Sequence, residues 1–121
     1  MTEPAQHHGI NYIELTSHDI ERCKRFYEKV FGWNFQDFGP DYISFDRESA
    51  GIDGGFRRGD IGQKQPDFAP LIVIYSQDLK ATEVAILENG GEIVVATFEF
   101  PGGHRFHFSD GAGNILAVWS E

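Results

Sequence analysis

Apolar and polar positions along this chain switch between a helical and a strand period, and the switch happens twice in the same order. Two segments line up at an offset of 59 residues: Tyr12-Ile-Glu-Leu-Thr-Ser-His-Asp19-Ile-Glu-Arg and Leu71-Ile-Val-Ile-Tyr-Ser-Gln-Asp78-Leu-Lys-Ala. Each reads as a short strand, an Asp at a helix N-cap, and then an amphipathic helix. Ile20, Cys23, Tyr27, Val30 and Phe31 recur at helical spacing in the first helix; Leu79, Thr82, Val84, Ile86 and Leu87 do so less regularly in the second. Gly32 and Gly90-Gly91 follow the two helices, as glycine commonly does at a C-terminus.

After each helix the period falls to 2. The first half then offers strands at Trp33 to Gln36, Tyr42 to Phe45 and Gly51 to Phe56, with Gly39-Pro40 and Arg47-Glu-Ser-Ala as turns. The second offers Glu92 to Phe98, His104 to Phe108 and Asn114 to Trp119, divided by Pro101-Gly-Gly and Ser109-Asp-Gly-Ala-Gly. Arg57 to Pro70 reads as a surface linker. One four-stranded sheet with one helix is too small to close a core, so the halves must pair. The expectation is an α+β fold in a single domain over residues 1–121. Two β-α-β-β-β half-modules, about 9–58 and 68–121 with a linker at 57–70, form a curved, incompletely closed mixed sheet with helices on its outer face.

Composition narrows the function classes. With 121 residues, 11 Phe, 4 Tyr and 2 Trp, the chain carries enough aromatic surface for a real core without metal or disulfide staples. A formal charge of −9 repels phosphate backbones, and the largest cationic cluster is Arg57-Arg58, so nucleic acid is not an expected partner. The longest apolar runs are Leu71 to Tyr75 and Ile115 to Trp119, far short of the ~20 residues of a membrane span. The opening Met-Thr-Glu-Pro-Ala-Gln-His-His lacks the basic start and apolar stretch of a secretion signal, and the lone Cys23 suits a reducing compartment. A cytoplasmic location is expected.

Strand alternation sorts the side chains by face. Ile13, Leu15, Ile72, Ile74, Phe106, Phe108, Leu116 and Val118 should lie under the helices. Tyr12, Glu14, Tyr75, Arg105 and His107 then share the concave side with Leu71, Val73, Ala117 and Trp119. Apolar walls with a few converging polar groups make a small-molecule pocket.

Two stretches carry a family resemblance. Ile10-Asn-Tyr-Ile-Glu-Leu-Thr-Ser-His-Asp-Ile-Glu-Arg-Cys-Lys-Arg-Phe-Tyr-Glu-Lys-Val-Phe-Gly-Trp33 resembles the opening strand and helix of the vicinal oxygen chelate superfamily, which includes glyoxalase I, bleomycin-resistance proteins and extradiol dioxygenases. Arg105-Phe-His-Phe-Ser-Asp-Gly-Ala-Gly-Asn-Ile-Leu-Ala-Val-Trp119 is similar to its lactoylglutathione-lyase-like group. The likeness runs from about residue 9 to 121 and implies a homodimer with pockets within one chain or across two. It also implies a divalent metal, yet the corresponding ligand positions hold Tyr12, Leu71, Ala117 and the Gly54-Gly55 pair. Hard divalent ions need imidazole nitrogens and carboxylate oxygens there, so no metal cofactor is expected.

Glu14 and His107 are the candidate acid–base groups. Glu14 in an aromatic pocket suits a general base or acid, or else it pairs with Arg105 or another inner polar group and holds the sheet. His107 acts as acid, base or ligand contact, or sits as a satisfied pocket histidine. Arg105 recognises a carboxylate or phosphate, or closes a rim salt bridge. Tyr12, Tyr75, Arg105, Trp119 and Trp33 are the candidate ligand contacts, with Trp33 equally suited to the core or a subunit interface. His7, His8, His18 and His104 match no zinc spacing, and Cys23 belongs to the apolar helix face. Gly54-Gly55 and Gly102-Gly103 precede no helix signal, so turns and bulges explain them better than phosphate loops. The favoured expectation is a metal-free protein that binds a small organic ligand. The alternatives are a lyase or isomerase acting on a carbonyl compound through Glu14 and His107, and a structural or regulatory dimer.

Overall fold

A computed structural model describes residues 6–59 and 70–121. Most of the Arg57–Pro70 linker and the first five residues lie outside the described residues. The order is β1 (Ile13–Ser17), α1 (Ile20–Phe31), β2 (Phe35–Asp37), β3 (Tyr42–Phe45), α2 (Arg47–Ala50), β4 (Gly54–Arg58), β5 (Val73–Tyr75), α3 (Leu79–Glu88), β6 (Glu92–Phe100), β7 (Gly103–Ser109) and β8 (Ile115–Ser120). The fold is α+β, built as two half-modules.

The internal repeat is realised atom by atom. Ser17 Oγ accepts from the backbone N–H of Asp19, and Asp19 Oδ1 accepts from that of Arg22. Ser76 Oγ accepts from Asp78, and Asp78 Oδ1 from Ala81, at the same 3.0 and 3.1 Å. Each Ser-x-Asp thus satisfies orphan donors at a helix start. Gly32 closes α1 in the left-handed region at φ 73°.

The sheets repeat as well. Their strand orders are β1-β4-β3-β2 and β5-β8-β7-β6, each with one parallel pair (β1/β4, β5/β8) and two antiparallel pairs. The mixed sheet is therefore made in two four-stranded pieces. Arg47–Ala50, read from sequence as a turn, forms one helical turn because Asp46 Oδ1 accepts from the Ser49 N–H. Four residues carry no helical apolar period, so the pattern could not reveal it.

One core serves both halves. Ile20, Cys23, Phe26 and Tyr27 of α1 are buried with Ile43, Phe45 and Phe56 of the first sheet and with Phe106, Phe108, Leu116 and Val118 of the second. Phe26 stacks on Phe108 with centroids 5.9 Å apart, and Tyr27 meets Phe56 at 5.1 Å. In α3 only Ile86 is buried, while Val84 and Leu87 are exposed, in keeping with its weaker period. Asp110, fully buried in the β7–β8 turn, accepts from the Tyr27 hydroxyl, two backbone N–H groups and the Asn114 amide. Burial pushes the Tyr27 hydroxyl well above the usual tyrosine range, with the Asp110 charge adding to it.

Candidate functional site

The face of the first sheet turned away from α1 carries Glu14, Tyr42 and Arg57. Glu14 on β1 stands opposite Gly55 on β4, which has no side chain. Tyr42 on β3 reaches across that gap: its hydroxyl donates to Glu14 Oε1 at 3.3 Å and pairs with the Tyr12 hydroxyl. A Cβ on Gly55 would run into the Tyr42 hydroxyl and lie 2.7 Å from the Ile43 carbonyl. Gly55 is therefore required by the close approach, as Gly54 is by the Ile13 carbonyl and the Phe45 ring. Arg57 Nε lies 3.5 Å from Glu14 Oε2. Since one hydroxyl carries one proton, the chain of donors runs Tyr12 to Tyr42 to Glu14. Partial burial, then the Tyr12 bond and the Glu14 charge, raise the Tyr42 hydroxyl above the ordinary tyrosine value.

The corresponding face of the second sheet is aromatic and cationic. Arg105 faces Trp119 and Phe98 across its two neighbouring strands, and His107 faces Ala117 and Val95. The Arg105 guanidinium carbon lies over the Phe98 ring at 5.2 Å and the Phe100 ring at 5.3 Å. Phe98 also contacts the His107 ring, while Trp119 touches Phe100 and Tyr75. The Tyr75 hydroxyl donates to Glu121. Two register shifts in β6 build this surface: an unbroken ladder would set Ala96 opposite Arg105, and the shifts bring Phe98 there instead. Arg105 Nε and His107 Nε2 are both shielded from water and have no hydrogen-bond partner among the described residues. Burial lowers the His107 pKa below its ordinary value, and the Arg105 charge lowers it further.

The concave residues expected together thus form two clusters within one chain. Glu14, with Tyr12 just before β1, belongs to the first sheet's cluster; Tyr75, Arg105, His107 and Trp119 belong to the second sheet. Among the described residues no hydrogen bond, ion pair or ring contact joins the clusters, and the partner of Glu14 is Arg57, not Arg105. Trp33 lies on neither surface. It is buried against Tyr27 and Phe45, each at 4.7 Å, and lines a cleft of about 830 Å³ between the half-modules with Leu15, Ile72, Ile74, Leu116, Glu48 and Tyr75, so of the expected ligand contacts Trp33 and Tyr75 share this cleft. Tyr12 borders a separate groove of about 350 Å³ with Gln36, Ser44, Asp46 and Asp53. Cys23 is fully buried, and burial raises its thiol far above the reactive range.

Sequence reasoning passed over Tyr42, Arg57, Phe98 and Phe100. Alternation in Tyr42-Ile-Ser-Phe45 does place Tyr42 opposite the buried Ile43 and Phe45, so that signal was present. The other three depend on strand register and bulges.

A family model described as the glyoxalase/bleomycin resistance protein/dioxygenase superfamily matches residues 9–118. The chain belongs to this superfamily. A glyoxylase-like domain-containing protein from Didymella fabae is 30% identical, with 93% of each chain covered. The fold is similar to that of fosfomycin resistance protein FosX from Mesorhizobium loti (15% identity, TM-score 0.74, 93% of this chain and 92% of that one). It is also similar to that of lactoylglutathione lyase from Agrobacterium tumefaciens (17% identity, TM-score 0.67, 91% of each).

The residues present do not suit the divalent ion that the superfamily resemblance implies. Ala117 is buried mid-strand in β8, Leu71 precedes β5, and Gly54-Gly55 lie inside β4. Tyr12, the one oxygen donor at these positions, is bonded to Tyr42. Among the described residues no group of three or more His, Cys, Asp and Glu stands close enough to hold a metal. No helix among them is long and apolar enough to cross a membrane.

Proposed function

We propose that this glyoxalase-superfamily domain binds a small organic ligand between aromatic and polar strand faces, without the divalent ion. The carrying observation is the second-sheet surface, where Arg105 and His107 hold unpartnered nitrogens among Trp119, Phe98, Phe100 and Tyr75. Polar atoms held out of water without a partner are costly and rare in folded proteins, and a ligand-binding role of this surface would account for them. The donor set at the metal positions supports the metal-free part of the reading.

A homodimer completes the proposed pocket. β1 and β5 are outer strands of their sheets, and Leu71, Val73 and Tyr75 are exposed along the second edge. Pairing these edges between two copies would set the Tyr12–Tyr42–Glu14 surface of one against the Arg105 surface of the other, acid facing base. The proposed setting is cytoplasmic, with neither nucleic acid nor membrane as a partner.

A lyase or isomerase related to lactoylglutathione lyase is the second reading. The unpartnered imidazole nitrogen of His107 on the same face as Arg105 favours it, because imidazole is a common acid–base group. Glu14 would have to come from the other copy. Elemental analysis of the purified protein, with thermal shifts against Ni, Zn, Mn and Mg, separates the readings from a metalloenzyme. Near-stoichiometric metal whose removal lowers stability overturns the metal-free proposal.

A further inference from the structure

We propose that Arg105 and His107 form a subsite for the carboxylate of a small organic acid, whose apolar part lies against Trp119, Phe98 and Phe100. The inference rests on the ligand-binding reading and names the ligand class.

The Arg105 guanidinium is held in place without spending its donors. Its contacts with Phe98 and Phe100 are cation–π contacts, which use the charge and leave the N–H groups free. Nε is shielded from water yet unpartnered, and among the described residues no carboxylate comes within ion-pair distance of Arg105. On a chain of net charge −9 this is a selective omission. Glu121, at the end of the neighbouring strand, is engaged by the Tyr75 hydroxyl, and Glu14 by Tyr42 and Arg57. A cation seated among aromatic rings and lacking an acid of its own is complementary to one brought by a ligand.

The shape of the donor set selects among anions. A guanidinium presents its N–H groups as a planar fork that matches the two oxygens of a carboxylate. Two residues along the same strand face, His107 carries a further unpartnered nitrogen, which a turn of its ring would present to an oxygen of the same acid. The rings beside them suit an aryl or branched alkyl group, which gains affinity by leaving water. The register shifts of β6 are the device that aligns the rings with the cation.

Phenylacetate and its uncharged counterpart phenylacetamide, titrated calorimetrically into the full-length protein at low salt, test the inference. Phenylacetate is expected to bind at least tenfold more tightly, and Arg105→Gln should abolish that preference while Arg105→Lys restores part of it. Equal affinity for acid and amide overturns the carboxylate subsite and leaves the pocket standing. Saturable binding of neither overturns the pocket reading and the subsite with it. The acid–amide comparison uses the unaltered chain, so a folding defect in a variant does not affect it; unchanged preference in a folded Arg105→Gln also overturns the subsite.

Discussion

The Tyr27 hydroxyl donates to Asp110 Oδ2 at 3.0 Å, and both residues are fully buried although 83 positions separate them. This bond ties the helix of the first half-module to the turn of the second. Asp110 simultaneously organises that turn through the Ala112 and Asn114 N–H groups, at 2.7 and 3.0 Å. Asn114 continues the link by donating to the Thr16 carbonyl at 2.9 Å. The orientation of the half-modules, and hence of any ligand surface, depends on this node.

Removing the acid should cost more than removing the hydroxyl. Asp110→Ala strands several buried donors and is expected to lower unfolding free energy by about 3 kcal/mol or more, whereas Tyr27→Phe should cost about 1–3 kcal/mol. Urea denaturation of both variants and the parent checks the order.

Gly55→Ala probes the strand crossing between Glu14 and Tyr42. The added methyl would meet the Tyr42 hydroxyl and crowd the Ile43 carbonyl, so the ring must swing away or the strands part. A loss of about 1–3 kcal/mol is expected, as for overpacked sites. In alkaline ultraviolet difference titration, Tyr42 freed from Glu14 and Tyr12 should ionise earlier than in the parent. An unchanged titration and unchanged stability would show that Tyr42 does not occupy this position.

His107 gives the fold a pH dependence of definite sign. Its folded pKa is lowered by burial and by Arg105; Val95, Phe98 and Ala117 face it from the adjacent strands, and none brings an acid. The unfolded chain therefore takes up the proton first as pH falls below about 6.5. Stability contributed by the neutral imidazole is full above that pH, declines as pH drops through the window down to the lower folded value, and then levels off. Thermal melts from pH 8 to pH 5 should show a shallower decline in His107→Gln than in the parent. Parallel curves would remove His107 as the source.

Much of this architecture was legible because it is local. Ser17-His-Asp19 and Ser76-Gln-Asp78 each hold their own cap, and alternation alone puts Phe106 and Phe108 in the core and Arg105 and His107 outside it. What failed to show was set by register between distant segments. Glu14 meets Arg57 because β1 runs parallel to β4, and Phe98 reaches Arg105 only through shifts in β6. The division of the concave residues into two clusters follows from how α1 packs both sheets through Phe26 and Tyr27, which strand alternation cannot express. Trp33 joins that same core, although its position just after the helix equally suited a pocket wall.

Glu14→Gln distinguishes binding from catalysis. Under the binding reading, neither the variant nor the parent turns substrate over on aldehyde, glutathione-adduct and epoxide panels, and the variant binds ligand within a few-fold of the parent. Turnover by the parent that the variant loses while still binding ligand would establish the lyase or isomerase reading.

Metal-independent ligand binding is tested most directly by titrating phenylacetate into protein stripped with a chelator, then repeating after adding back Mn, Ni, Zn or Mg. The expected result is saturable binding in the stripped protein, with affinity unchanged within about twofold by any of the ions. Binding that appears only after an ion is restored would contradict it.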